Sequence, residues 1–180
     1  NGLGDGGFIT TNSKQLYEKI KLYRNHGMKS RDNVHVFGVN SRLDVLNAEV
    51  LNFRLKKLKS VILKRRRNIS IYQKLINQKN IKIPYDTRDQ FSSCVIFLCL
   101  CERRDELQKY LNSKGIQSLV YYGTPLHKHY ASKIEGLHKN KLPISENLAK
   151  KVLALPHHQN LTSKQIEIVC QEINKFYKNS

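Results

Sequence analysis

The sequence predicts an α/β fold, and three observations carry that reading. Cys94-Val95-Ile96-Phe97-Leu98-Cys99-Leu100 is an almost wholly apolar run of strand length, a pattern usually covered on both faces. Between Leu43 and Ile76 apolar residues recur at three- and four-residue steps with no proline, which is helical spacing. From about residue 85 onward, strand, helix, strand, helix and helix signals follow one another, enough for a compact α/β unit.

Each element has a local reason. Gly4-Asp5-Gly6-Gly7 is a turn that runs into a strand over Phe8–Thr11. Asn12 or Ser13 caps the helix that follows, because a side-chain oxygen there satisfies a free N–H. That helix carries Leu16, Ile20 and Tyr23 on one side, and Gly27 suits a left-handed residue after its end. Ser30–Val39 is polar and mixed, hence a loop. The Leu43–Ile76 stretch exceeds an ordinary globular helix, so two helices or one bent one are expected. After the Cys94–Leu100 strand, Arg104–Ser113 reads as a helix stopped by Gly115, and Gln117–Tyr122 as a second strand. Pro143 marks a turn, Ser145 caps a helix from Glu146 to about Leu153, and Leu155-Pro156 ends it. Thr162 and Gln165 form a capping box for a last amphipathic helix bearing Ile166, Val169, Cys170, Ile173 and Phe176.

Composition narrows the function classes. The chain has 180 residues, 39% hydrophobic, and no apolar run long enough to cross a membrane; no membrane partner and no signal peptide are expected. Four cysteines, Cys94, Cys99, Cys101 and Cys170, fit neither a disulfide framework nor a zinc pair. Cys99 and Cys101 alternate and so share one strand face, which reads as buried or half-buried thiols in a reducing cytoplasm. No metal is expected: His157 and His158 are adjacent, face different ways and read as a turn. Lys and Arg total 32 against 14 acids, a net charge of +18. The densest patch, Lys56-Lys57-Leu58-Lys59 and Lys64-Arg65-Arg66-Arg67, has no interleaved aromatics, so it reads as a solvated helix face in preference to a nucleic-acid surface.

Four motifs occur in order along the chain. They are Gly4-Asp5-Gly6-Gly7, Arg24-Asn25-His26-Gly27-Met28, Gly38-Val39-Asn40-Ser41-Arg42-Leu43-Asp44, and Gly115-Ile116-Gln117 followed by Tyr121-Tyr122-Gly123-Thr124-Pro125-Leu126-His127. Leu153-Ala154-Leu155-Pro156 with Leu161-Thr162 adds a fifth. Any one is weak, but together, in this order and spacing, they resemble the DegT/DnrJ/StrS family of sugar-nucleotide aminotransferases over nearly the whole chain.

The resemblance implies a fold of the aspartate-aminotransferase type (fold type I of the pyridoxal-phosphate enzymes). Residues 1–45 would be the C-terminal end of the cofactor-binding large domain, 46–84 long linking helices, and 85–180 the small C-terminal α/β domain. It also implies pyridoxal 5′-phosphate as cofactor, glutamate as amino donor, and a nucleotide-sugar substrate. In that family the Schiff-base lysine precedes the Gly-Asp-Gly-Gly turn, and the same register puts it about three residues before Asn1, so no catalytic residue is assigned within the chain. Asn40 matches the asparagine that reaches the cofactor phosphate of the other subunit, which implies a homodimer with shared sites; Arg42 lies beside it. An amide donor and a guanidinium both suit a phosphate. Tyr121, Tyr122 and His127 match the substrate-facing loop, where hydroxyls and an imidazole can hydrogen-bond a sugar. The wording of that loop and of Pro156-His157-His158-Gln159 is most similar to members acting at C3 of dTDP-linked 3-keto-6-deoxyhexoses.

The residues alone also admit blander roles. Asn40 suits a loop before a helix, with Arg42 paired to Asp44 or another acid, and His127 suits a surface position in a proline-kinked turn. Ser93-Cys94-Val95, Asn47-Ala48-Glu49 and Lys141-Leu142 depart from the family pattern. Two other functions follow: an inactive truncated remnant persisting as a non-catalytic folded domain, and a basic nucleic-acid-binding domain built on Lys56–Arg67.

Overall fold

A computed structural model describes residues 2–84, 86–87 and 89–178. It divides into two compact units between Lys59 and Ser60. Both mix helix and strand, as the sequence predicts.

The first unit opens with the glycine turn and helix α1 (Lys14–Tyr23), whose N-terminus is capped by Ser13: its hydroxyl accepts the Leu16 N–H at 3.2 Å. Phe8–Thr11 is not a strand, because no neighbouring chain among the described residues offers it a ladder, and Phe8 is 87% exposed. The expected loop over Ser30–Val39 instead starts within a small antiparallel hairpin, β1 (Met28–Ser30) and β2 (Asn33–Val34). Helix α2 (Val45–Leu55) follows Asp44. Among the described residues no hydrophobic side chain before Ser60 is buried, so backbone and polar contacts hold this unit together.

The long helical stretch breaks in two, as its length suggests. Helix α2 ends at Leu55, and α3 (Leu58–Leu75) begins after the Lys56–Lys57 turn. The second unit is built on a three-stranded antiparallel sheet, β3 (Ile81–Lys82), β4 (Leu98–Cys101) and β5 (Val152–Ala154), in the order β3-β4-β5. Register places Ile81 opposite Cys101 and Cys99 opposite Leu153. Helices α4 (Arg104–Ser113) and α7 (Ser163–Lys178) cover one face of it. Cys99, Cys101 and Leu153 from the strands meet Leu107 and Leu111 of α4, Ile166, Cys170 and Ile173 of α7, and Tyr72 of α3 in one core. Helices α5 (Tyr130–Ile134) and α6 (Pro143–Lys151) lie in the segment that returns to β5.

Several details depart from the sequence expectations. Strand β4 starts only at Leu98, because Cys94 adopts a left-handed backbone (φ 52°) and Val95 and Ile96 are exposed. The strand is buried on one face: Cys99 and Cys101 are inside, while Leu98 and Leu100 are half-buried. Gln117–Tyr122 makes only an isolated bridge, in which Leu119 and Ala154 exchange hydrogen bonds of 3.1 and 2.7 Å. Helix α6 begins at Pro143 itself, whose fixed φ and missing N–H suit the first turn; Ser145 therefore lies inside the helix. Val152–Ala154, expected as the helix end, is β5, since pairing with Leu98–Leu100 outweighs helix continuation. The Arg104–Ser113 helix and the Thr162–Gln165 capping box occur as expected, with Thr162 N–H donating to Gln165 Oε1 (3.0 Å) and Gln165 N–H to Thr162 Oγ1 (3.3 Å).

All four cysteines are free and buried. Burial raises the Cys99 thiol well above its ordinary range and pushes Cys101 and Cys170 up to about 12, so all three stay protonated core groups. Buried polar groups complete the frame. Tyr72 Oη donates to Pro156 O at 2.8 Å and Asn68 Nδ2 to His158 O at 2.9 Å, tying α3 to the segment after β5. Asn174 Nδ2 donates to Leu75 O at 2.8 Å and satisfies a carbonyl at the end of α3.

Leu111 is fully buried, so Leu111→Ala should cost about 2–5 kcal/mol in denaturant unfolding. A second expectation concerns acid. The Ser92 N–H (2.9 Å) and then Arg66 (2.5 Å) hold the Asp86 carboxyl below the usual carboxylate range. A depressed folded-state pKa gives stability that is present above the unfolded value, about 3.9, and is lost as pH falls through the folded value. The melting temperature should therefore fall on acidification below about pH 5, and less steeply in Asp86→Asn, which lacks that titration; equal slopes would refute the linkage.

Candidate functional site

The residues of the sequence motifs line two clefts, one in each unit. The first is shaped by the Arg24–Gly27 and Gly38–Arg42 motifs, which bind each other through the backbone. Val39 N–H donates to Tyr23 O (2.8 Å), His26 N–H to Val39 O (3.0 Å) and Ser41 N–H to Arg24 O (2.8 Å). This approach requires glycine twice. A Cβ on Gly27, which has φ +69°, would lie 1.6 Å from Val36 O, and a Cβ on Gly38 would lie 2.4 Å from both Gly27 N and Tyr23 O.

The clamp fixes the residues between its strands. Arg42 Nε (2.9 Å) and Nη2 (2.5 Å) both donate to Asn25 Oδ1, so Arg42 is paired with Asn25 and not with Asp44. Asn40 and Arg42 line a cleft of about 700 Å³ with Ser41, Asp44 and the backbone of Gly6 and Gly7. The Asn40 carboxamide and Arg42 Nη1 have no partner among the described residues. Buried Asn47 fastens the glycine turn onto α2: its Oδ1 accepts the Leu3 N–H at 2.9 Å and its Nδ2 donates to Asp5 O at 3.3 Å. Free amide, hydroxyl and guanidinium donors on a fixed backbone are the donor set a phosphate needs.

The second cleft, of about 690 Å³, opens on the other side of the sheet from the core. Leu98 and Leu100 of β4 form its floor, and Tyr121, Tyr122 and His127 line it together. Tyr121 is half-buried, Tyr122 exposed, and His127 buried on a 3₁₀ turn over Leu126–Lys128. His127 is therefore not a surface residue: its Nε2 lies 2.9 Å from Glu146 Oε1 on α6. Glu146 is held below the usual carboxylate range, first by His127, then by the Leu142 N–H and by Lys128. A mostly apolar wall with a few convergent polar groups is typical of a small-ligand site.

A third cleft of about 640 Å³ lies near His157 and also reaches Tyr121. Burial lowers the His157 pKa, which keeps the ring neutral, and its Nε2 lies 2.9 Å from Cys94 O. In the basic run, Arg65 Nε donates to Gln159 Oε1 (3.2 Å), and Arg66 both pairs with Asp86 and covers the Phe91 ring.

Sequence reasoning places Asn40 with Arg42, and Tyr121 and Tyr122 with His127; it missed Asn47, Asn68, Arg104 and Glu146. Asn47 falls four residues after Leu43, and Asn68 four before Tyr72, so helical spacing already put both on inward faces. Arg104 is buried and donates from Nη1 to Val152 O at 2.8 Å, joining α4 to β5; no local pattern signals that.

The family model of the DegT/DnrJ/EryC1/StrS aminotransferase family matches residues 2–174. A pleiotropic regulatory protein of Geobacillus stearothermophilus is 33% identical over 98% of this chain and 48% of its own length. The dTDP-3-amino-3,6-dideoxy-alpha-D-galactopyranose transaminase of Aneurinibacillus thermoaerophilus is 33% identical over 95% of this chain and 47% of its own. Among solved structures, S. venezuelae DesV in complex with a ketimine intermediate superposes with a TM-score of 0.87 at 31% identity, covering 92% of this chain and 45% of that one. The chain thus spans about half the length of the relatives it matches.

Gly27→Ala tests the clamp. It should abolish the slow exchange of the His35 and Val39 amides, which bond Gly27 O and Tyr23 O, while leaving the Cys99–Leu153 ladder protected; retained protection at His35 and Val39 would refute it.

Proposed function

This chain belongs to the DegT/DnrJ/EryC1/StrS aminotransferase family, and from that premise we propose that it is the C-terminal portion of a sugar-nucleotide aminotransferase. The enzyme would move an amino group from glutamate to a keto sugar nucleotide of the dTDP-3-keto-6-deoxyhexose class, with its Schiff-base lysine N-terminal to the Gly4–Gly7 turn. The family's aminotransferases use pyridoxal 5′-phosphate, which supplies an electron sink for bonds at the carbon bearing the amino group. The observation that carries the reading is the Asn40–Ser41–Arg42 cleft: the family motif stands in the structure as free donors on a glycine-clamped backbone.

The residues divide the work. Asn40 donates its carboxamide N–H groups to the cofactor phosphate of a partner subunit, so that a homodimer shares its sites. Arg42 adds positive charge at that phosphate, and its bonds to Asn25 preset the guanidinium, which lowers the ordering cost of binding. In the second unit Tyr121 and Tyr122 offer hydroxyls to the nucleotide sugar, and His127 offers its imidazole. The apolar floor of Leu98 and Leu100 excludes water beneath the sugar and strengthens those hydrogen bonds. The similarity to a dTDP-3-amino sugar transaminase and to DesV supports the substrate class.

The test uses the gene product containing this chain. Asn40→Ala should weaken pyridoxal-phosphate retention about tenfold or more, as loss of a charge-assisted hydrogen bond does. Unchanged cofactor affinity would remove Asn40 from that role. Transfer of ¹⁵N from glutamate to a dTDP-3-keto-6-deoxyhexose, read by mass spectrometry, is expected of the cofactor-loaded protein. Its absence, with the cofactor bound, would end the substrate assignment.

A further inference from the structure

Beside Tyr121 and Tyr122 a carboxylate–imidazole pair joins His127 of the loop to Glu146, nineteen residues further along the chain. His127 Nε2 is 2.9 Å from Glu146 Oε1, and the same oxygen accepts the Leu142 N–H at 3.4 Å and lies 3.5 Å from Lys128 Nζ. These contacts favour the ionised carboxylate. An ionised carboxylate only accepts, so the hydrogen between the two groups belongs to Nε2. In the neutral ring the lone pair then sits on Nδ1, and Nδ1 has no partner among the described residues. The ring lines the cleft, and among the described residues the other titratable side chains lining it are Tyr121 and Tyr122. Glu146 stands on α6 and His127 on the 3₁₀ turn, so the pair also joins the loop bearing both tyrosines to a helix.

We propose that Glu146 is a positioning residue that locks His127 as the Nε2–H tautomer, presenting Nδ1 to the cleft as a hydrogen-bond acceptor for a hydroxyl of a polyhydroxylated ligand. The ligand class rests on the sugar-nucleotide reading above; the lock does not. Its logic is general: the hydrogen bond made by one ring nitrogen decides what the other can do. A bare histidine would exchange between tautomers and offer an acceptor at Nδ1 only part of the time.

The experiment is two-dimensional long-range ¹H–¹⁵N spectroscopy of the ¹⁵N-histidine-labelled chain. At mildly alkaline pH, wild-type His127 should show the Nε2–H pattern. Glu146→Gln keeps an acceptor oxygen, so it should keep the tautomer. Glu146→Leu should show a larger Nδ1–H fraction than wild type. A wild-type Nδ1–H pattern overturns the lock, and so does an unchanged tautomer ratio in Glu146→Leu. The wild-type spectrum needs no substitution, so instability of a variant leaves the test intact. Added dTDP-glucose is expected to shift the Nδ1 resonance. Binding sensed elsewhere in the chain with Nδ1 unmoved overturns the acceptor role. A locked tautomer with no binding at all sustains the lock and counts against the sugar-nucleotide reading alone.

Discussion

Burial of one face of β4 organises the larger unit. Cys99 and Cys101 point into a core closed by Leu107 and Leu111 from α4 and by Ile166, Cys170 and Ile173 from α7. Because successive side chains of a strand alternate, the same four residues send Leu98 and Leu100 to the opposite face. That face is the floor of the Tyr121–His127 cleft, where Leu148 and Ala149 of α6 join it. The antiparallel ladder to β5 and the Leu119–Ala154 bridge bring that loop into place over it. One alternation therefore supplies both the stability of the unit and an apolar base for its ligand cleft.

In the smaller unit the corresponding work falls to the backbone. With no buried hydrophobic side chain among its described residues, it holds its shape through hydrogen bonds and close approaches. Gly27 and Gly38 let two segments meet at distances that any Cβ would forbid. Between them Asn25 takes both guanidinium bonds of Arg42, and Asn47 anchors the glycine turn. The two family motifs are thus two sides of one clamp. Their physical meaning is the fixed backbone that places Asn40, Ser41 and Arg42 at one cleft.

The contrast between the units bears on chemistry. Fixed donors in an exposed cleft suit a charged group that brings its own binding energy, such as a phosphate. Hydroxyls and an imidazole above an apolar floor suit a neutral, hydroxylated ring, since each polar contact gains strength where water is scarce. Glu146 adds a refinement of the second cleft, because a buried histidine with an undefined tautomer would be a poor reader of hydroxyl orientation.

Local signals made much of this readable from the residues alone. The Ser13 cap, the Arg104–Ser113 helix with its Gly115 stop, the Thr162–Gln165 box and the inward stripe of α7 rest on contacts within a few residues, so short-range chemistry settles them. The order of motifs likewise identified the family. The failures share a different cause. Phe8–Thr11 has strand-forming residues but no ladder, Val152–Ala154 follows a helix yet pairs with β4, and Gln117–Tyr122 is reduced to one bridge. A strand exists only when a distant segment supplies its hydrogen bonds, and no window of sequence contains that segment. The same holds for His127, whose partner Glu146 is nineteen residues away and on another element. Residue types and spacing determined which groups the clefts would contain, while long-range pairing and packing decided which of their atoms are spent on the protein and which are left for a ligand.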